Sequence, residues 1–429
     1  MSLFSSPPFM TKLTLFGSPD APELYPLRDF LQRSVVQYDW VDATADPTAL
    51  PVGLRQAYAA GQRVPAIAFP NGQLLLNPTV QEVAQHLGWI SKPSHQEYDL
   101  SIYGAGPAGL SAAVYAASEG LRTVLIEREA IGGQAGTSSL IENYMGFPEG
   151  IAGAELAERA RQQALRFGVD ILLLREGIKG TFYNHRIHVD LAGGDQLVAR
   201  ANICATGVEY AKLGLPNEAQ FFNKGLYYGA GASEAMFCRD KDVFVVGRGN
   251  SAGQAASYFA SFARKVYMVI RKGSLAATLS DYLVKRVTTT PNIEIIYHAT
   301  VQELAGHQVL EGIKLANSQD GTTTWHKAGK LFICIGGQPN TDWASETAII
   351  RDPKGYLITG PDLVGRPNFP ACWPLARPPY HLETSVPGSF AAGDVRLNSV
   401  KRVASAVGEG AMAVTLVHKY LAEQDTMTG

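Results

Sequence analysis

The apolar residues of this 429-residue chain gather in short blocks bounded by glycine. YDLSIY, TVLIE, DVFVV, KVYMVI and LFICI are each too short for a helix and too continuous for a half-exposed strand. Blocks of that kind predict strands buried on both faces, the habit of parallel sheets covered by helices. Between them lie the alanine-rich runs PAGLSAAVYAAS and GQAASYFASFA, which predict helices packed closely on those sheets. Ahead of Tyr98 the pattern is finer. KLTLFG, Pro22 to Arg33, VVQYDWVD, Leu54 to Gly61, VPAIAFPNGQLLL and VQEVAQHLGW predict the order βαβαββα over residues 11–90. SKPSHQE, residues 91–97, is polar and proline-bearing and predicts a linker. The fold class is α/β.

Charge and composition narrow the partners. Thirty-seven basic against 39 acidic side chains leave a formal charge of −2, which argues against nucleic acid and against a membrane surface. MSLFSSPPFMTKL has no basic region followed by an apolar one, so no leader or membrane span is expected and the cytoplasm is the expected compartment. The four cysteines are Cys204, Cys238, Cys334 and Cys372, and the nearest two are 34 positions apart, Cys204 and Cys238. That spacing offers neither a disulfide framework nor a Cys-x-x-Cys pair. Cys204, Cys238 and Cys334 read as core thiols, and Cys372 as the most exposed. His185-x-x-His188 lacks further ligands at metal spacing, so no metal is expected. Glycine at 43 positions is high, which fits loops where backbone approaches a nucleotide.

Two such loops stand out. Gly104-x-Gly106-Pro107-Ala108-Gly109 joins a strand to a helix, with Glu127 ending the next strand. The first glycine serves the tight turn, the second the approach to pyrophosphate, the third the helix–strand contact, and the acid a ribose hydroxyl. Gly247-x-Gly249-Asn250-Ser251-Ala252 repeats the arrangement, but the strand after it ends in Arg271-Lys272. Basic side chains there suit a 2'-phosphate and hence NADPH, or are solvated surface.

Four further segments surround these loops in order: IGGQAGTSSLIENYMGFPEGIAG, ANICATGVEYAKLGLPNEAQF, LFICIGGQPNTD and ETSVPGSFAAGDVR. Together they resemble a thioredoxin reductase-type flavoprotein over residues 98–420. The resemblance implies two Rossmann-like nucleotide-binding domains: an FAD domain split into 98–212 and 338–429, with an NAD(P)H domain, 213–337, inserted. It implies a homodimer, and FAD contacts from Gly104, Gly106, Pro107, Ala108, Gly109, Glu127, Arg128, Gly133, Gln134, Asn143, Thr206, Gly207, Gly393, Asp394, Lys401, Arg402 and Val403. Lys401-Arg402 stands where the family commonly has Arg-Gln. NADPH contacts would come from Gly247, Gly249, Asn250, Ser251, Ala252, Arg271 and Lys272, with Ala276 where another arginine is usual. Residues 11–90 resemble a glutaredoxin or thioredoxin-like domain, with Pro65 expected to be cis, but Ser18-Pro19-Asp20-Ala21 stands where its redox cysteines belong.

The family's own Cys-x-x-Cys aligns, without gaps, with Ala230-Gly231-Ala232-Ser233, and its acid with Glu234. The resemblance therefore implies a flavin-dependent NAD(P)H oxidoreductase whose acceptor is not its own disulfide: a quinone, ferredoxin or flavodoxin, dioxygen or a small molecule. A small redox protein docking on the N-terminal domain is the expected partner. Glu234 is the candidate proton donor, and Tyr227 or Tyr228 a candidate ring beside the flavin. Ferredoxin or a second flavin as electron donor, and a catalytically quiet redox or nucleotide sensor, remain open.

Overall fold

The computed structural model describes residues 12–19, 21–183, 185–366, 369 and 373–428. The expectations for residues 1–11, for Asp20 and for Cys372 fall outside these. The chain divides into two compact units, residues 1–87 with 212–335, and residues 88–211 with 336–429. The small N-terminal domain thus shares a unit with the domain inserted much later in the sequence, between Lys212 and Ile335.

The N-terminal domain runs β1 (Leu13–Gly17), α1 (Leu24–Arg33), β2 (Tyr38–Asp42), α2 (Val52–Ala59), β3 (Ala66–Ala68), β4 (Leu74–Leu76) and α3 (Val80–His86). Its sheet is ordered β2-β1-β3-β4. β1 and β2 are parallel because α1 crosses between them, and β3 and β4 are antiparallel because a short loop joins them. α3 starts with a capping box: Thr79 accepts from Glu82 N–H while the Glu82 carboxylate accepts from Thr79 N–H. The cis expectation at Pro65 is corrected, because no peptide bond among the described residues is cis. Trans is the lower-energy form of such a bond by about 0.5–1 kcal/mol.

The second unit opens with β5 (Glu97–Tyr103), α4 (Pro107–Ser118), β6 (Thr123–Glu127), α5 (Gly153–Arg166), β7 (Asp170–Leu173), β8 (Gly177–Tyr183), β9 (Arg186–Leu191), β10 (Gln196–Cys204) and β11 (Val208–Tyr210). The chain then enters the first unit again with α6 (Glu218–Phe221), β12 (Leu226–Tyr228), β13 (Asp242–Val246), α7 (Asn250–Ala260), β14 (Lys265–Ile270), α8 (Asp281–Thr289), β15 (Ile293–Tyr297), β16 (Ala299–Ala305), β17 (Gly312–Asn317), β18 (Thr323–Lys327) and β19 (Lys330–Ile333). It closes the second unit with β20 (Gly337–Pro339), β21 (Ser389–Ala391) and the long α9 (Val403–Thr428).

In the second unit the order β7-β6-β5-β10-β9-β8 places β5 at the centre, with β21 also pairing β10. In the first, β12-β19-β13-β14-β15 form a parallel sheet, with the inner strands β19 and β13 buried as their apolar sequences predict. In both units a glycine loop leaves the carboxyl end of a central parallel strand and enters a helix, the position at which open α/β sheets bind ligands.

Candidate functional site

The first loop, at the end of β5, is built by steric necessity. Gly104 has φ +99°, and an added Cβ would lie 2.5 Å from Ala205 O. At Gly109 that atom would lie 1.8 Å from Gly104 O, so any side chain there breaks the turn. Gly106 between them faces open space, with nothing within 4 Å of an added Cβ. Pro107 takes the first position of α4, where its missing N–H costs nothing. The loop is therefore tight where the protein packs on itself and open at the helix N-terminus, as a phosphate cradle requires. Glu127, buried at the end of β6, accepts from Ala105 N–H and Glu129 N–H, both at 2.8 Å. Arg128 pairs with Glu209 beside it.

The neighbouring segments supply more of the expected residues. Gly133 (φ +53°) opens a 3-10 turn and lies against Gly106, and Gln134 Nε2 donates to Val208 O at 2.7 Å. Thr206 donates to Asn340 O at 2.8 Å, next to Gly207 at φ +64°. Asn143 is exposed in the loop that follows. Gly393 (φ +79°) would bring a Cβ to 2.9 Å from the Ala108 Cβ. Asp394 is half-buried, and burial pushes its carboxyl up against the opposing pull of Lys401. Lys401 Nζ donates to the Asp394 carbonyl at 2.5 Å and lies 4.6 Å from the centre of the Tyr356 ring. Arg402 is exposed, and Val403 begins α9. Sequence reasoning missed Glu409 in α9. Its carboxylate accepts from Gly393 N–H (2.7 Å), Arg396 (2.7 Å) and Ser399 (3.0 Å), so it pins the Gly393–Asp394 turn to the helix. The available signal was one acid between two glycines, Gly408 and Gly410, in an apolar helix.

The second loop, at the end of β13, repeats the logic. Gly247 (φ +144°) would bring a Cβ to 2.3 Å from Cys334 O, while Gly249 at the N-terminus of α7 faces open space. Ala252 is fully buried in the third position, Ser251 is exposed, and Asn250 Oδ1 accepts from Ser280 N–H at 2.8 Å. Arg271 and Lys272 follow β14 directly and are exposed. The His298 ring lies beside them, close enough to Gly273 that an added Cβ there would come to 2.7 Å from Nε2.

The third region follows β12. Ala230, Gly231 (φ +50°) and a 3-10 turn, Ala232–Cys238, fill the place expected of a redox pair, and they are buried except at half-buried Ala232 and exposed Met236. Glu234 is fully buried. It accepts from Arg28 Nε (3.0 Å) and Nη2 (2.6 Å) on one side and from Lys330 Nζ (2.9 Å) on the other. Burial opposes its ionisation, but Lys330 and Arg28 outweigh burial and hold the carboxyl below the usual carboxylate range. Glu234 is therefore an internal counter-ion, and its expected role as proton donor is corrected: sealed from solvent and paired on both sides, it has no proton to give.

The tyrosine expectation changes too. Tyr227 is 2% exposed, its ring packs against Tyr25 (4.9 Å) and Phe332 (5.3 Å), and its hydroxyl accepts from Lys330 at 2.9 Å. Its ring is occupied by protein, so it is not the flavin-stacking ring expected from the sequence. Burial, reinforced by Glu234, raises its hydroxyl pKa far above the ordinary value. Tyr228 donates to Glu218 and accepts from Leu213 N–H at 3.2 Å. Arg28 and Lys330 were not read from the sequence as site residues. Cys204, Cys238 and Cys334 are buried and unpaired with one another, and burial pushes each thiol up to about 12. Among the described residues no His, Cys, Asp and Glu cluster has the makings of a metal site, and no helix is long and apolar enough to cross a membrane.

Comparison with known proteins covers most of the chain. Residues 98–410 match the family described as "Pyridine nucleotide-disulphide oxidoreductase". A thioredoxin reductase of Bacillus subtilis is 34% identical over 334 residues, 77% of this chain and 97% of that protein. A thioredoxin reductase of Peptoclostridium acidaminophilum is 32% identical over 330 residues, 76% of this chain and 97% of its own length. The crystal structure of Lactococcus lactis thioredoxin reductase in its FR conformation superposes with a TM-score of 0.68 at 28% identity, covering 76% of this chain and 99% of that one.

Proposed function

The chain belongs to the pyridine nucleotide-disulphide oxidoreductase family, and from that membership we propose that it oxidises NADPH and passes the electrons through its flavin to an acceptor other than a disulfide of its own inserted domain. Thioredoxin reductases of this family use FAD and NADPH, and this chain is a flavin-dependent oxidoreductase of that fold. When bound, the two cofactors supply hydride chemistry. The protein's part is to hold them. Gly104 to Gly109 and the α4 N-terminus receive the FAD pyrophosphate, Glu127 the adenosine ribose, and Gly393 with Asp394, pinned by Glu409, the region beyond. Gly247 to Ala252 and the α7 N-terminus receive NADPH, with Arg271 and Lys272 on the 2'-phosphate. The open space at Gly106 and Gly249, beside glycines that admit no Cβ, supports both assignments.

The choice of acceptor is supported by the ungapped alignment, in which Ala230 to Ser233 stand where the family's Cys-x-x-Cys belongs and a buried Glu234 stands at its acidic position. Reduction of a protein disulfide by thiol exchange needs two thiols to attack and resolve, and the described cysteines are buried and unpaired with one another. Candidate acceptors are a quinone, a ferredoxin or flavodoxin, dioxygen or a small molecule. The reading includes a homodimer in the cytoplasm. It also takes residues 11–90 as a thioredoxin fold, which the β2-β1-β3-β4 order with a parallel β1–β2 pair supports.

Anaerobic rapid mixing of the yellow protein with NADPH, and separately with NADH, tests the donor. Bleaching of the flavin band within about a second by NADPH, faster than by NADH, is the expected result. Dithionite reduction without bleaching by either nucleotide refutes it and favours a ferredoxin or second-flavin donor. A steady-state comparison of thioredoxin disulfide with a panel of a quinone, a ferredoxin, a flavodoxin and dioxygen then tests the acceptor, with turnover expected on a member of the panel and none on thioredoxin disulfide.

A further inference from the structure

We propose that the N-terminal domain is a resident cap: α1 and β2, anchored by Arg28, cover the turn that replaces the dithiol, so that this face admits no external redox partner. The proposal rests on the functional reading above only in assigning residues 230–233 to the dithiol position.

The contacts come from one side of the N-terminal domain. Tyr25 packs on Tyr227, Arg28 binds Glu234 through two nitrogens, the Arg28 guanidinium lies 4.2 Å over the Phe237 ring, and Trp40 meets the same ring edge-on at 5.3 Å. Every one of these reaches β12 or the 232–238 turn. Exposed ion pairs are weak and exchange freely with water, but Arg28 is 1% exposed and Glu234 not at all. Undocking would strip Arg28 from its buried carboxylate and expose three aromatic contacts together. The domain is thus fastened, not tethered.

The fastening also replaces the chemistry on both sides. Ser18 to Ala21, just ahead of α1, lack the thiols of the fold they resemble, and Ala230 to Ser233 lack those of theirs. Neither side retains a group to exchange with the other. What remains between them is a buried cluster of two cations and one anion, Arg28 and Lys330 around Glu234. Because Lys330 holds Glu234 by itself as well, the inserted domain keeps a paired carboxylate when Arg28 is removed, so a cap-release variant is expected to fold.

Ser233 offers the reporter. It is 6% exposed and its hydroxyl has no hydrogen-bond partner, so Ser233→Cys removes no hydrogen bond. The probe is iodoacetamide at pH 8 on the full-length, FAD-loaded chain carrying Ser233→Cys and Cys372→Ser, with hydrogen exchange of residues 24–33 and 232–238 measured in parallel. The expected result is labelling at least about 100-fold slower than in the urea-unfolded chain. Arg28→Ala should then raise the labelling rate at least about 10-fold and speed exchange in both segments together, with flavin absorbance unchanged. Should Arg28→Ala not fold, Arg28→Met keeps the apolar stem and serves the same comparison. Labelling at the unfolded rate with Arg28 in place overturns the proposal, as does a rate the same in the folded Arg28 variant as with Arg28. Neither readout involves NADPH or an acceptor, so the cap and the proposed activity succeed or fail separately.

Discussion

The loop after β5 and the turn after β12 share a plan, a parallel strand running through glycines into a helical segment, yet they end in opposite states. At Gly104 to Gly109 the glycines that touch protein are sterically obligatory, and the one that touches nothing leaves an opening at a helix N-terminus. At Gly231 the backbone is equally special, but Phe332, Tyr227 and Arg28 have closed around the turn. Where a ligand is to be held, packing stops short of it. At the turn after β12, side chains from the N-terminal and inserted domains fill the surface, and Glu234 is the centre of an ion cluster.

The open loop is most sensitive at its tightest glycine, Gly109. Gly109→Ala places a Cβ against Gly104 O, and overpacking of this kind costs about 3 kcal/mol or more. The variant should purify without bound flavin, whereas Gly106→Ala should fold at wild-type stability and lose affinity alone; a yellow Gly109→Ala protein of normal stability would show that the loop is not under this constraint.

In the closed turn, Glu234→Ala leaves two buried cations facing each other and should destabilise by about 3–5 kcal/mol. Arg28→Ala leaves the Glu234–Lys330 pair intact and should cost less, about 1.5–3 kcal/mol, the range for hydrogen bonds to a charged group. Denaturant unfolding of both variants checks the order, and equal losses would mean that Lys330 does not hold the carboxylate.

The basic pair at the end of β14 should matter to the ligand and not to the fold. Arg271→Ala and Lys272→Ala are each expected to lower kcat/KM for NADPH about 10-fold, near 1.4 kcal/mol, and to leave NADH within about 2-fold. A parallel loss with both nucleotides would place these side chains away from the 2'-phosphate.

A smaller effect is expected with pH. The Glu234 carboxyl is held below its unfolded value, so the unfolded chain binds the more protons in acid. The stability it contributes is complete above the unfolded carboxyl pKa of about 4.3 and is lost as pH falls through the lower, folded value. The stability gap between wild type and Glu234→Gln should therefore be constant from about pH 6 to 8 and shrink below about pH 4; a gap that widens in acid reverses the sign.

Much of this was legible in the sequence. The turn geometry of both glycine loops and the place of Glu127 at the end of β6 could be read because backbone sterics dictate residue type at fixed spacing, leaving little to tertiary context. Glu409 could not, since its partners Gly393, Arg396 and Ser399 declare themselves only when α9 folds back on the turn. Arg28 sits 206 positions from Glu234 on a helix whose pattern predicts only that some face is covered, and an arginine there reads as surface. Tyr227 shows the limit most plainly. An aromatic beside a glycine turn has the same signature whether it stacks on a cofactor or on Tyr25 of another domain, and only the packing decides.

With Ala230 to Ser233 in place of a dithiol, the proposed function gives the chain one two-electron centre, its FAD, and no second pair of electrons to accept. Anaerobic titration of the FAD-loaded protein with dithionite, followed at the flavin band, tests it directly. Complete reduction after one dithionite equivalent of two electrons per FAD is the expected result; an endpoint near four electrons per FAD would reveal a second redox pair and refute the single-centre reading.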